Sequence, residues 1–170
     1  QLAAAGWEVT ALDVSKKRLE RLHDNLKRTG LSATVVVADA LEWQADAPFD
    51  AILLDAPCTA TGTCRRHPDV LHRVGQSHVL EMAELQSALL DRVQGWLADK
   101  GQLVFATCSL EEEEGEQQAD QVPLQPDPIS VEELPAGLVP GGEGWLRTHP
   151  GMLDAAGGLD GFFIARWRKD

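Results

Sequence analysis

Four short and mostly apolar segments, each followed by a polar residue, constrain the fold of this chain more than any other feature. They cover residues 9–12 before Asp13, 34–38 before Asp39, 51–54 before Asp55 and 102–107 before Cys108. Apolar strands of this length are typical of parallel sheets that are covered on both faces. Amphipathic patterns predict helices over 16–28 and 79–97, with Ser15 as an N-cap and with Gly30 and Gly101 as stop signals.

The alternation of strands and helices predicts an α/β fold with a mostly parallel sheet and helices on both faces. Ligands of such sheets bind beyond the carboxyl ends of the strands, so the four polar strand-end residues are candidates for one site. A final strand is expected over 161–168. Residues 117–145 contain five prolines, which predict irregular surface structure around one short strand, within a single domain over 1–170.

Composition and charge exclude several classes of protein. The net charge of −12 argues against non-specific nucleic-acid binding by the chain as a whole, although 16–18 and 65–67 are basic. The acidic run 111–114 with Glu116 is interpreted as a solvated face. Three cysteines without zinc-site spacing favour a reducing cytoplasm and no metal. No apolar run is long enough for a membrane span, and no leader peptide is evident.

Asp13 and Asp39 are candidate cofactor ligands. A carboxylate at the end of a strand can accept hydrogen bonds from ribose hydroxyls, as in dinucleotide and S-adenosylmethionine (SAM) sites, and the next strand-end acid suits an adenine amino group. Either acid could instead stabilise the start of the following helix or turn. The glycine-rich loop of such a site is expected before Gln1, so we expect the chain to begin inside a longer protein.

The cysteines at strand ends favour carbon methylation. A thiolate that adds to C6 of cytosine makes C5 nucleophilic toward a methyl donor, and Asp55 could hydrogen-bond N3 and the exocyclic amine. The residues alone leave open which cysteine attacks, and either could be a small buried side chain. The chain contains no tyrosine, which excludes the Tyr-x-x-x-Lys chemistry of short-chain dehydrogenases. The sequence after Asp55 also lacks the Pro-Pro-aromatic motif of amino-methylating adenine enzymes.

Three motifs carry a resemblance to a known family. The segments DAPCTATGTCRRHPD, VFATCSL and DGFFIAR resemble the bacterial RNA cytosine-C5 methyltransferases, in particular the Sun/Fmu type that acts on 16S ribosomal RNA. The resemblance implies a Rossmann-like SAM-dependent methyltransferase fold, and it implies that Cys108 is the attacking thiolate and Cys58 the cysteine that helps release the product. It places three acids in the SAM pocket, with Asp55 also facing the target base: Asp13, Asp39 and Asp55.

The resemblance also implies a role for the basic segment after Cys58, since Arg65, Arg66 and His67 match the RRHP stretch of the family, which supports the loop or meets RNA phosphate. Cys64 departs from the aliphatic residue expected there. The family's RNA-recognition region, first strand and glycine-rich loop would precede Gln1. We therefore expect residues 1–170 to be the C-terminal part of one N-terminally truncated catalytic domain, which binds SAM weakly by itself.

Two alternatives remain open at this point. One is a truncated non-catalytic Rossmann-like domain that binds RNA or a protein partner. The other is a different SAM or nucleotide enzyme on the same sheet, since a fold does not determine a function.

Overall fold

The computed structural model describes all residues from Gln1 to Asp170, and the chain separates into two compact units, Gln1–Asp46 and Ala47–Asp170. None of its helices has both the length and the apolar character that a membrane-crossing helix needs. Unit 1 begins with a 3₁₀ turn at Ala3–Ala5, which is followed by β1 (Thr10–Asp13), α1 (Lys16–Thr29) and β2 (Thr34–Val37). The strands and helices of unit 2 are β3 (Phe49–Asp55), α2 (Val70–Arg73), α3 (Gln76–Gln94), β4 (Leu97–Thr107), α4 (Glu116–Ala119), β5 (Gln125–Pro126), β6 (Leu146–Thr148) and β7 (Phe162–Arg168).

Unit 1 follows the local signals of its sequence. Strands β1 and β2 are parallel, with Asp13 opposite Val37. The hydroxyl of Ser15 accepts a hydrogen bond from the backbone N–H of Arg18 at 3.3 Å, which caps α1. Gly30 ends the helix with a φ of 67°, a left-handed conformation that glycine adopts without steric cost. The predicted strand–helix–strand order is confirmed.

Unit 2 contains a mixed five-stranded sheet. Strands β3 and β4 are parallel, with Asp55 opposite Ala106, as the strand pattern predicted. The final strand β7 is antiparallel to β4, and β5 and β6 also pair antiparallel with β7. The parallel prediction therefore holds for β1–β2 and β3–β4, whereas the end of the chain adds antiparallel strands.

The core of unit 2 lies on one face of β4 and β7, where side chains alternate between buried and partly exposed positions. Phe105 and Phe163 are fully buried and meet edge to face, with their ring centroids 6.3 Å apart. Helix α3 buries an apolar stripe that includes Val79, Leu89 and Val93. This packing holds the two strands that carry Asp55 and Cys108 in a fixed register.

Two boundary predictions were wrong. Helix α3 begins and ends three residues earlier than predicted, and β4 already starts at Leu97. Gly101 does not end the helix. It lies in a bulge of β4, where an added Cβ would be 2.8 Å from the carbonyl oxygen of Ala98 and 3.1 Å from that of Phe49. A glycine is needed at position 101 because neighbouring backbone atoms approach it closely within the strand, and not because a helix ends there.

The segment 117–145 is only partly the irregular surface that its prolines predicted. It contains the end of α4, the two-residue strand β5 and a 3₁₀ turn at Val131–Glu133. It also contributes Ile129 and Leu138 to a small buried cluster with Leu146. Burial of these apolar side chains anchors the segment to unit 2.

Candidate functional site

The loops after β3 and β4 bring two cysteines together. Because these strands are parallel neighbours, both loops leave the sheet at the same end, and Ala56 continues the ladder with an N–H bond of 3.0 Å to the carbonyl of Ala106. The sulfur atoms of Cys58 and Cys108 lie 3.5 Å apart, within reach of an S–H···S hydrogen bond. Residues fifty positions apart in the sequence thus form one dithiol.

The two thiols differ in acidity. A hydrogen bond from Cys58 lowers the pKa of Cys108 to about 7, although partial burial and the nearby carboxylate of Asp55 oppose this change. The pKa of Cys58 is raised, first by its hydrogen bond to the Cys108 sulfur and then by burial. The proton of the pair therefore stays on Cys58, and Cys108 is the thiolate near neutral pH.

The lowered pKa of Cys108 does not come from a helix N-terminus. The next regular element after Cys108 is a 3₁₀ turn at Glu112–Glu114, and α4 begins only at Glu116. Cys58 supplies the stabilising donor instead. This donor could not be found from the sequence, because the two residues are adjacent only in the folded chain.

Glu114 is buried at the base of the dithiol, which overturns its assignment to a solvated acidic face. The carboxylate accepts hydrogen bonds from the backbone N–H of Thr59 at 2.9 Å and from the hydroxyls of Thr59 and Ser109. The side-chain amide of Gln86 donates to it at 3.1 Å. Thr59 follows Cys58 and Ser109 follows Cys108, so one carboxylate ties together the loops that carry the two sulfurs.

The sequence contains one clue to this buried network. Gln86 lies among the apolar residues of α3 and is fully buried, and its amide also donates to the carbonyl of Pro57 at 2.8 Å. A polar residue on the core face of a helix indicates a buried hydrogen-bond partner. The acidic run gave no sign of which of its members would be that partner.

Close backbone packing also fixes the position of Cys108. The N–H of Gly62 donates to the carbonyl of Cys108 at 3.0 Å, and the N–H of Gly161 donates to the carbonyl of Gly62 at 2.7 Å. A Cβ added at Gly62 would lie 2.0 Å from the carbonyl oxygen of Gly161. Only glycine fits here, and the segment before β7 thereby supports the Cys58 loop.

Asp55 ends β3 and is exposed. Its negative charge is one of the influences that raise the pKa of Cys108, so it lies within electrostatic range of the dithiol. The structure thus brings together the three residues of unit 2 that the sequence predicted to be catalytic: Asp55, Cys58 and Cys108.

The basic segment after Cys58 divides into two parts. The guanidinium of Arg66 donates to Asp160 at 2.8 Å, and Arg65 lies 3.7 Å from the same carboxylate. Arg66 holds the pKa of Asp160 below its usual value. These arginines tie the segment to the residue before Gly161, and their contact with RNA stays a prediction. His67 instead borders a cavity.

Unit 1 contains the other two predicted acids. Asp13 accepts two hydrogen bonds of 2.7 Å from Arg18 and one of 2.7 Å from the N–H of Ser15, and Arg18 lowers its pKa. Asp39 is exposed and accepts from the N–H of Leu41 at 2.9 Å, which caps a turn. Since Asp13 lies opposite Val37, the two acids lie at the same edge of the β1–β2 pair.

No three His, Cys, Asp or Glu side chains are grouped so as to hold a metal ion. Cys64 is half-buried and is not bonded to another cysteine.

Comparisons with known proteins place this geometry in a family. The family model described as 16S rRNA methyltransferase RsmB/F matches residues 1–168. A protein named ribosomal RNA small subunit methyltransferase B from Citrobacter koseri is 47% identical over 170 residues, which cover 98% of this chain and 38% of that protein. Its namesake from an Enterobacter species is 40% identical, with 95% of this chain and 37% of that protein covered. The chain thus spans less than two fifths of these curated relatives.

Solved structures agree with this assignment. NSun6 from Pyrococcus horikoshii, crystallised with SFG, is 31% identical with a TM-score of 0.79, over 95% of this chain and 41% of that one. A methyltransferase homolog from the same organism is 28% identical with a TM-score of 0.75, over 96% of this chain and 53% of that one. These similarities confirm the predicted Rossmann-like methyltransferase fold, and the chain belongs to the RsmB/F family of 16S rRNA methyltransferases.

Proposed function

We propose that this chain is the catalytic part of an enzyme that transfers a methyl group from SAM to C5 of a cytosine in 16S ribosomal RNA. The observation that carries the proposal is the dithiol, in which the sulfur atoms of Cys58 and Cys108 lie 3.5 Å apart. The names of the curated relatives support ribosomal RNA as the substrate. The three unpaired cysteines agree with a cytoplasmic enzyme.

In the proposed reaction Cys108 attacks the cytosine. Its thiolate forms a bond to C6, and the electron pair of the C5–C6 double bond moves toward N3, where a proton or hydrogen bond stabilises it. We assign this stabilisation to the protonated carboxyl group of Asp55, whose O–H donates to N3 while its other oxygen accepts from the exocyclic amine. The pair of electrons then returns to make C5 nucleophilic. Bound SAM supplies the electrophilic methyl group at this stage.

Cys58 is assigned to product release. After C5 has gained its methyl group, a base must remove the C5 proton so that the double bond re-forms and the C6–S bond breaks. The sulfur of Cys108 leaves as a thiolate. The raised pKa of Cys58 keeps its S–H available to donate to that sulfur, which favours departure of the thiolate.

The strand-end acids of unit 1 fit a SAM site chemically. Asp13 and Asp39 offer carboxylate oxygens at one edge of the β1–β2 pair, the arrangement that nucleoside hydroxyl and amino groups need. Arg18 forms an ion pair with Asp13, and its side chain is 65% exposed. Arg18 can therefore move away from Asp13 when a ligand binds, without uncovering much buried surface. Asp55 is the third proposed cofactor ligand. The solved relative with SFG, a SAM analogue, supports SAM as the methyl donor.

The test uses a hybrid in which this chain replaces the matching segment of the Citrobacter koseri relative, together with labelled SAM and 16S rRNA. Cys108→Ala is expected to abolish methyl transfer and adduct formation. Cys58→Ala is expected to accumulate a covalent protein–RNA adduct that survives denaturation. Cys64→Ala is the matched control and should retain activity.

The opposite pattern would reverse the assigned roles: an adduct in Cys108→Ala and none in Cys58→Ala. A hybrid that binds RNA but transfers no label would favour a non-catalytic domain. The 170-residue chain alone is expected to bind SAM more weakly than the hybrid, and equal affinities in calorimetry would contradict that expectation.

A further inference from the structure

A cavity of about 390 Å³ opens beside the loop that follows Cys58. Thr59, Ala60 and Thr63 line it from that loop, and His67, Arg73 and His78 line it from the segment that runs through α2 into the first turn of α3. Ligand pockets in proteins have volumes of about 300–1,000 Å³. The cavity is therefore large enough for a single nucleotide-sized group but not for a double helix.

The ionisable side chains that line this cavity are all of the basic type, in a chain whose net charge is −12. The nearest acid on the same helix is Asp69, which contacts Arg73 at 2.8 Å, and the two side chains are 63% and 68% exposed. Exposed pairs of this kind contribute little to stability. Arg73 can thus exchange this carboxylate for an incoming phosphate at small cost.

Local hydrogen bonds hold the wall of the cavity next to the dithiol. Ala60 has a φ of 59°, a left-handed conformation that is unfavourable for a residue with a side chain. Its carbonyl accepts hydrogen bonds from the backbone N–H and the hydroxyl of Thr63 at 3.0 and 2.8 Å. Strained backbone held in this way is concentrated at functional sites. Two residues span at most about 7 Å, so this wall lies close to Cys58.

We propose that this cavity binds a nucleotide that flanks the target cytosine. Arg73 contacts its phosphate, and His67 and His78 contact its base or phosphate, since imidazole rings stack on unpaired bases and donate N–H bonds. This proposal rests on the proposed function, because it assumes that the substrate is RNA. It assigns a role in RNA positioning to His67 and also to Arg73 and His78, which lie outside the RRHP stretch.

RNA binding by the hybrid, measured in a Cys108→Ala background to separate it from turnover, tests the proposal. The affinity for a 16S rRNA transcript is determined at several salt concentrations. Each phosphate contact contributes about 0.7–0.9 to the slope of log K against log salt. Arg73→Gln is expected to weaken binding and to reduce the slope by about that amount, whereas Arg73→Lys should retain the slope.

Asp69→Asn provides a test of opposite sign. It frees Arg73 from its carboxylate partner, so RNA binding is expected to become tighter.

Val74→Phe, which places a ring in the cavity, is expected to raise the KM for RNA in the active hybrid without changing SAM affinity. Arg28→Gln at the end of α1 is the control for loss of a cation elsewhere and should leave the slope unchanged.

The results separate this proposal from the proposed function. An unchanged slope in Arg73→Gln, or an equal loss in Arg28→Gln, overturns the nucleotide site even when methyl transfer is normal. A reduced slope together with tighter binding by Asp69→Asn supports the site even if no methyl group is transferred. Weaker binding by Asp69→Asn also overturns it, because it would make Asp69 the RNA contact or Arg73 a purely structural residue.

Discussion

Replacement of Glu114 tests whether one buried carboxylate positions both cysteines. In Glu114→Ala, the backbone N–H of Thr59 loses its partner at 2.9 Å and the amide of Gln86 loses its partner at 3.1 Å. Neither donor can rotate toward water, and each stranded buried donor costs about 1–3 kcal/mol. The free energy of unfolding should therefore fall by about 2–6 kcal/mol, a large part of the roughly 5–15 kcal/mol typical of a domain.

Glu114→Gln should cost much less. The hydroxyls of Thr59 and Ser109 now donate to one carboxylate oxygen, and both can turn to accept from the new amide instead. What is lost is the charge of the acceptor, worth about 1 kcal/mol for each bond. The ranking from most to least stable is therefore wild type, Glu114→Gln, Glu114→Ala.

Urea unfolding of the chain measures these differences, and the absorbance of the thiolate against pH measures the effect on the dithiol. The charge of Glu114 raises the pKa of Cys108, so Glu114→Gln should shift the thiolate titration to lower pH while it lowers stability. A purely structural residue would change only the stability. Glu112→Gln, at an exposed position of the same acidic run, is the control. If Glu112→Gln and Glu114→Ala had equal urea midpoints of unfolding, the reasoning would be refuted.

Two further changes test the geometry around the sulfurs. Cys58→Ala removes the donor that lowers the pKa of Cys108 to about 7, so this pKa should rise toward its ordinary value of 9.0. Alkylation of Cys108 by iodoacetamide should then need a higher pH. An unchanged pH profile of alkylation would count against the S–H···S bond. Gly62→Ala places a Cβ 2.0 Å from a backbone oxygen and should cost about 1–3 kcal/mol or more in thermal unfolding. Gly142→Ala, at an exposed position where the added Cβ meets nothing within 4 Å, should leave the melting temperature nearly unchanged.

Errors in the sequence-based prediction have a common cause. The glycine at 101 was interpreted as a helix stop, although the register between β3 and β4 makes it part of a strand bulge. Glu114 was interpreted as solvated because four consecutive glutamates look alike in sequence. In both cases the deciding contact comes from a distant part of the chain, and a local pattern contains no information about that contact.

The cysteine roles show the same division. The sequence motifs singled out Cys58 and Cys108, but the residues alone left open which of them attacks. The structure places the two sulfurs 3.5 Å apart, in surroundings that raise the pKa of Cys58 and lower that of Cys108. It also adds Asp160 as the partner of Arg65 and Arg66, a contact across more than ninety residues that the basic segment did not reveal.

The sequence by itself determined the strand ends and the caps of α1, and it singled out the two cysteines, because periodicity, capping residues and strand-end polarity act over a few neighbouring residues. Only the tertiary structure decided the antiparallel end of the sheet, the 3.5 Å separation of the sulfurs and the burial of Glu114. The antiparallel end depends on how β7 pairs with β4, and the other two features depend on which loops the parallel pairing of β3 and β4 brings together. The pKa of a thiol follows from the groups that surround it in the folded chain, so the acidity of Cys108 depends on that pairing too.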